Sequence, residues 1–299
     1  MSPRILNVKN RSGLIILLSA VLTLAACIDD VDEVDLPHYD PKIVVSAFIS
    51  PGDSIKITLF RSVPIYYNLV LTDWMTSFPR INDASVVVVN TADNSEITIP
   101  FIPGSDIYAL DPAAADIRAG VEYELRISAP GMESVKARTF VPASVPAISN
   151  LKVEKRNVSY GKELTISGLI NDPPGIKNYY FVIGYDVYTY SSWVNDSVFE
   201  VAYSYQSYYN FFSDSDRDGQ DIGFRVTNQF SDASLRYELF VLSVDEHYFR
   251  YHSSLNSYYE TGDNPFAEAV ILSSNVENGL GVFGSFNKFH IEVDLGSLK

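Results

Sequence analysis

Cysteine is almost missing from the chain: Cys27 stands alone among 299 residues. No intrachain disulfide can form, and one thiolate cannot complete a zinc or iron–sulfur site. Histidine is scarce as well, at His38, His247, His252 and His290. His247 and His252 stand five apart on a predicted helix and point different ways, so they share no metal-binding face. Positive charge is short, with 22 Lys and Arg against 37 Asp and Glu and a net charge of −15. A chain this acidic repels nucleic acid and anionic lipid headgroups. No H-E-x-x-H, G-x-S-x-G or P-loop occurs, so no catalytic residues and no enzyme are expected. Beyond residue 26 no apolar run approaches the length of a membrane span.

The one long apolar run comes at the start. Arg4, Lys9 and Arg11 precede "GLIILLSAVLTLAA", residues 13–26, which reads as a secretory signal peptide over 1–26. The residues Leu24-Ala25-Ala26-Cys27 resemble the bacterial lipobox, whose cysteine is acylated after cleavage. Asp29, Asp30, Asp32 and Glu33 crowd Cys27, and such a setting suppresses the thiolate that a nucleophile needs. Cys27 is therefore read as a lipidation site, firmly held once two or more acyl chains are present. Residues 27–41, acidic and punctuated by proline, read as a solvated tether. Acids directly after an acylated cysteine also resemble surface-export signals of Bacteroidota lipoproteins. The expected location is the outer membrane, lipid-anchored and facing the cell surface.

The rest is β-rich by pattern. At 46% hydrophobic residues, with 20 Tyr and 17 Phe, the chain can build a packed core without cross-links. Residues 42–64 place two β-branched runs around Pro51-Gly52-Asp53. Residues 84–101 repeat that plan around Ala92-Asp93-Asn94, and 120–142 do so around Pro130-Gly131. Val121, Tyr123, Leu125 and Ile127 alternate onto one face. The spacing predicts an Ig- or fibronectin-like antiparallel sandwich over 42–145. A second antiparallel β-domain is expected over 146–299. Its strands are read at 163–170, 178–190, 220–226 and 235–244, with closing strands at "AEAVILSSNV" and "KFHIEVDL". One amphipathic helix is expected near 244–260, with Ser243 and Glu246 as a capping box and Gly262 as the stop. Tyr248, Tyr251, Leu255 and Tyr259 form its buried stripe.

Three stretches invite a chemical reading. "GLGVFG", 279–284, has the spacing of a dinucleotide fingerprint but no following helix, so its glycines are assigned to crowding at a strand bend. "DSDRDG", 214–219, spaces Asp214, Asp216 and Asp218 like a calcium loop, although its twelfth position is Arg225 rather than a bidentate acid. The loop reads as an acidic surface hairpin tip and no cofactor or metal is expected, with calcium as the alternative. Residues 179–212 hold 14 aromatics in 34 positions, mixed with Ser, Asn and Gln. Tyrosine and tryptophan in that company make rigid contact surfaces. Tyr188, Tyr190, Trp193, Tyr205 and Tyr208 are the candidate binding face, against the alternative that they fill the core.

Two longer stretches carry a family resemblance. Tyr248-Phe249-Arg250-Tyr251, Asn264-Pro265-Phe266-Ala267-Glu268 and Asn275 through Gly284 resemble the closing signature of a Bacteroidota outer-membrane lipoprotein family, DUF4249. The opening "LPHYDPKIVVSAFISPGDSIKITLFRS" is similar to that family's start, with Ala47 in place of a glycine. The resemblance implies a lipoprotein often encoded beside TonB-dependent outer-membrane receptors, and it brings no catalytic residues. The expected function is accessory to such a receptor, binding the receptor or its cargo. The alternatives are a free-standing binder of glycan or peptide and, third, a surface hydrolase.

Overall fold

The computed structural model describes residues 39–64, 79–159, 161–191, 198–203, 210–231, 234–261 and 268–295. Cys27, the expected signal peptide and most of the expected tether lie outside them. Among the described residues no helix is long and apolar enough to cross a membrane.

The chain opens with the expected hairpin. β1 (Ile43–Ile49) and β2 (Ile55–Arg61) pair antiparallel, and Gly52 turns the corner with φ at 74°. β3 (Ser85–Asn90) and β4 (Glu96–Thr98) fold back through Asn94, whose φ of 57° suits an asparagine. Then come the short strands β5 (Phe101–Ile102) and β6 (Ile107–Leu110) and one helical turn, α1 (Pro112–Ala115). β7 (Glu122–Ser128) and β8 (Val135–Phe140) complete this half. Their alternation is realised: Tyr123, Leu125 and Ile127 are all buried.

The second half is built from longer strands. β9 (Ala147–Val158), β10 (Gly161–Asn171) and β11 (Tyr179–Ser191) are followed by β12 (Val198–Tyr203) and β13 (Phe211–Ser213). β14 (Ile222–Phe230), β15 (Ser234–Val244), helix α2 (Glu246–Thr261) and β16 (Leu280–Asp294) close the chain.

Three sheets result: nine strands in the order β12-β11-β15-β16-β1-β2-β6-β5 with β13 beside β11, then β4-β3-β7-β8, then β14-β10-β9. The fold is mainly β and mainly antiparallel, as the pattern predicts. The four-stranded sheet packs on the β1–β2 end of the long sheet in an Ig-like sandwich around Val45, Ile57, Tyr108, Tyr123 and Leu125. The three-stranded sheet packs on its β11–β15 end around Leu164, Ile166, Val182, Phe224, Tyr237 and Leu239. The boundary read near 142–146 falls between β8 and β9, and β16 belongs to the long sheet on both sides of it.

β16 is the seam. Residues 280–285 run parallel to β1, while 286–294 run antiparallel to β15. A Cβ on Gly281 would lie 2.0 Å from the Val45 carbonyl oxygen, and its φ is 98°. A Cβ on Gly279 would lie 2.8 Å from the Ile43 oxygen. The glycines of "GLGVFG" thus let two backbones meet where a side chain would hold them apart. Asn275 locks the same corner: its amide nitrogen donates to the Arg138 and Phe283 carbonyls, and its side-chain oxygen accepts from Phe283 N–H.

Helix α2 lies on the other face of the long sheet, over Phe48, Phe181, Phe211, Leu242 and Val244. Its cap differs from the expected Ser243 box. Asp245 accepts from the Tyr248 and His247 N–H groups, and also from Ser285 N–H on β16. One carboxylate therefore starts the helix and pins it to the seam. The buried stripe is shorter than expected. Tyr248 is buried and Tyr251 and Leu255 are half-buried, but Tyr259 is 54% exposed because the helix has by then run past the sheet. Gly262 lies outside the described residues, as do Asn264 to Ala267. The strand expected at "AEAVILSSNV" does not form: residues 268–276 are irregular. Ile271 is 89% exposed there, and Ser273 N–H bonds the Ser254 hydroxyl of α2 rather than a neighbouring strand.

Candidate functional site

The second sandwich carries a polar feature at each end of β10. At ~3.3 Å per residue, the length of this strand sets them about 30 Å apart.

The first lies where β10 begins, β14 ends and β15 starts. Alternation along β11 turns Tyr180, Val182, Gly184 and Asp186 inward, and Asp186 pairs across the ladder with Tyr237. On β14 the same alternation turns Phe224, Val226, Asn228 and Phe230 inward. An acid and an amide thus stand at the rim of an otherwise apolar core. Asp186 Oδ2 accepts from the Ser234 hydroxyl at 2.8 Å. Its Oδ1, the Asn228 amide nitrogen and the Tyr237 hydroxyl are all buried without a hydrogen-bond partner. Burial pushes the Asp186 carboxyl above its usual range, only partly offset by Ser234. Tyr237 is raised too, by burial first and then by the neighbouring Asp186 charge. Natural cores keep few such groups, because each costs on the order of 1–3 kcal/mol.

Asp186 and Asn228 border a cavity of about 680 Å³ whose described lining also includes Lys162, Tyr188, Phe230 and Ser231. That is the size of a small-ligand site. The lining combines Asp186, Asn228 and Lys162 with the aromatic rings of Tyr188 and Phe230, a mix that suits a hydroxyl- or amide-rich ligand. Of the residues picked out from sequence, Tyr188 lines this cavity and Tyr190, 46% exposed, lies two residues beyond it on β11. Trp193, Tyr205 and Tyr208 lie outside the described residues. Other aromatics of the same run are structural: Tyr180 fills the second core, and Phe181 stacks on Phe211 at 4.2 Å beneath α2. Asp186 and Asn228 escape the sequence reading. Their one signal is an acid and an amide at inward positions of alternating strands.

The second feature lies at the far end of β10. Asp172, Asp214 and Asp218 each offer a carboxylate oxygen, and these atoms lie within 4.8 Å of one another. The grouping differs from the expected loop. Asp216 is exposed and outside it, while Asp172 joins from the β10–β11 connection, 42 residues before Asp214. Asp172 accepts from the Tyr180 hydroxyl at 2.7 Å and from Gly219 N–H at 2.8 Å. Asp218 accepts from Gly175 N–H through both oxygens. Asp214, 2% exposed, accepts from Asn178 N–H with Oδ2 while Oδ1 is buried and unpartnered.

No curated protein matches the chain. Among solved structures it is similar to the interferon gamma receptor alpha chain of chicken, at 12% identity over 69% of this chain and 89% of that one. The TM-score of 0.20 is too low to carry an argument. The family comparison matches residues 30–292, nearly all of the chain beyond its first apolar run and including both sandwiches, α2 and most of β16. The chain belongs to the family described as domain of unknown function DUF4249.

Proposed function

We propose that this chain is a lipid-anchored, surface-facing outer-membrane protein without catalysis, serving a TonB-dependent receptor by binding that receptor's cargo. The observation that carries the binding role is the cavity at the end of the second sandwich. Asp186 and Asn228 line it together with Tyr188, and each also keeps a buried polar atom without a partner. A protein that needed these residues only for stability would pair them or replace them with apolar ones. The cargo is a polar molecule of the glycan or peptide class, because the site combines a hydrogen-bond acceptor, a donor and aromatic surface. The anchor at Cys27 and the acidic tether supply the location, and the family resemblance supplies the receptor.

The same cavity equally serves a free-standing glycan or peptide binder, and two experiments separate the readings. The full chain, purified in detergent, is probed on glycan and peptide arrays. Binding is expected, with at least tenfold loss in Asp186→Asn and Asn228→Ala. No binding by the wild type, or binding indifferent to both changes, would sink the ligand site. Pull-down of the tagged chain from detergent-solubilised outer membranes is expected to recover a TonB-dependent receptor. Ligand binding without any receptor leaves the free-standing reading.

A further inference from the structure

We propose that Asp172, Asp214 and Asp218 hold a calcium ion. Three carboxylates drawn together repel one another, and among the described residues none of the three is ion-paired with a basic side chain. Lys177, which borders the same recess, lies over the Tyr179 ring at 5.2 Å. Backbone N–H groups of Gly175, Asn178 and Gly219 and the Tyr180 hydroxyl orient the carboxylates. Such donors leave the negative charge in place.

Acid clusters are common on surfaces, but Asp214 sets this one apart. Its side chain is almost wholly buried and Oδ1 has no partner, so a carboxyl oxygen is kept out of water beside two more carboxyl groups. Asp172 is buried too, at 6% exposure. Buried charge without compensation is too costly to hold in place for nothing, and a bound cation supplies the compensation. The donor set is all oxygen, which selects a hard cation. Opposite ligands of calcium at ~2.4 Å stand ~4.8 Å apart, whereas those of magnesium at ~2.1 Å stand only ~4.2 Å apart. All three ligand atoms lie within the calcium span of one another. A recess of about 440 Å³ bordered by Asp214, Asp218 and Gly175 gives room for entry and for coordinating water. The ion would tie the β10–β11 connection to the β13–β14 loop, far from the ligand cavity, so this inference stands or falls separately from the proposed function.

The test uses the full chain in detergent, freed of metal by chelator. Calcium chloride at a hundredfold excess over Kd is expected to raise Tm by roughly 5 °C, with matching heat in a calorimetric titration. Asp214→Asn and the exposed-site variant Asp218→Asn are each expected to lose at least tenfold in calcium affinity. The second variant keeps the test decisive if the first fails to fold. No shift in the wild type, an undiminished shift in Asp218→Asn, or an equal shift with magnesium at the same concentration would overturn the assignment.

Discussion

In the first sandwich the buried tyrosines are answered. Tyr108 accepts from Ala84 N–H at 2.9 Å and Tyr123 from Arg118 N–H at 2.8 Å. Its buried acid is answered too. Glu124 accepts from Arg126 at 2.7 Å and Arg138 at 2.8 Å, and these bonds hold its carboxyl below the usual range. In the second sandwich Tyr237 has no partner, Asp186 has half of one, and Asn228 leaves its amide nitrogen unbonded. Of the orphaned buried side-chain atoms among the described residues, only the Ser50 hydroxyl belongs to the first half of the chain. Both halves bury polar groups inside β-sandwiches of similar plan. The first pairs nearly all of those named here; the second pairs Tyr180 with Asp172 but leaves atoms of Asp186, Asn228, Tyr237 and Asp214 open.

The seam is where that comparison breaks most violently. Gly281→Val puts a side chain into the Val45 carbonyl at a backbone angle hostile to branched residues. A loss of about 3 kcal/mol or more is expected in urea denaturation, with both sandwiches affected because β16 serves each. The next effect belongs to His252, which lies among Phe48, Phe181, Phe211 and Tyr248. Burial pushes its pKa down to about 4 from 6.5. The unfolded chain therefore binds a proton that the folded chain refuses. Stability from this group is full above pH 6.5 and falls as pH drops toward 4, by about 3 kcal/mol. His252→Phe is expected to flatten that part of the pH–stability curve, and an unchanged slope would refute the burial account. A smaller effect separates the sandwiches directly. Tyr123→Phe removes a made hydrogen bond and is expected to cost about 1 kcal/mol, while Tyr237→Phe removes an orphan and is expected to gain about 1 kcal/mol.

Much of this architecture is legible in the sequence because it is local. Alternation announces β7, and Gly52 and Asn94 mark the turns of the β1–β2 and β3–β4 hairpins. The parallel pairing of β1 with β16 joins residues more than 230 positions apart, and no local pattern encodes it. The glycines of "GLGVFG" show only that something comes close. "AEAVILSSNV" misleads because an apolar run reads as a strand, yet Ile271 is solvent-facing and only Val276 reaches the first core. The candidate sites are legible in part. Asp214 and Asp218 stand out by spacing, but Asp172 arrives through the sheet rather than the loop. The tyrosine-rich run covers β11, whose Tyr188 lines the cavity, while Asp186 and Asn228, which also line it, are single side chains with no motif around them.

Under the proposed function, Asp186 is kept for binding at a cost to stability. Its folded-state pKa is raised, so the ionised group weakens the fold above the ordinary aspartate range and ceases to do so when protonated in acid. Urea denaturation of Asp186→Asn against wild type tests this directly. The account predicts that the variant is more stable at pH 7, by about 1 kcal/mol, and that the gain disappears near pH 3. A variant less stable than wild type at pH 7 would make Asp186 a structural residue and remove the basis for the ligand site.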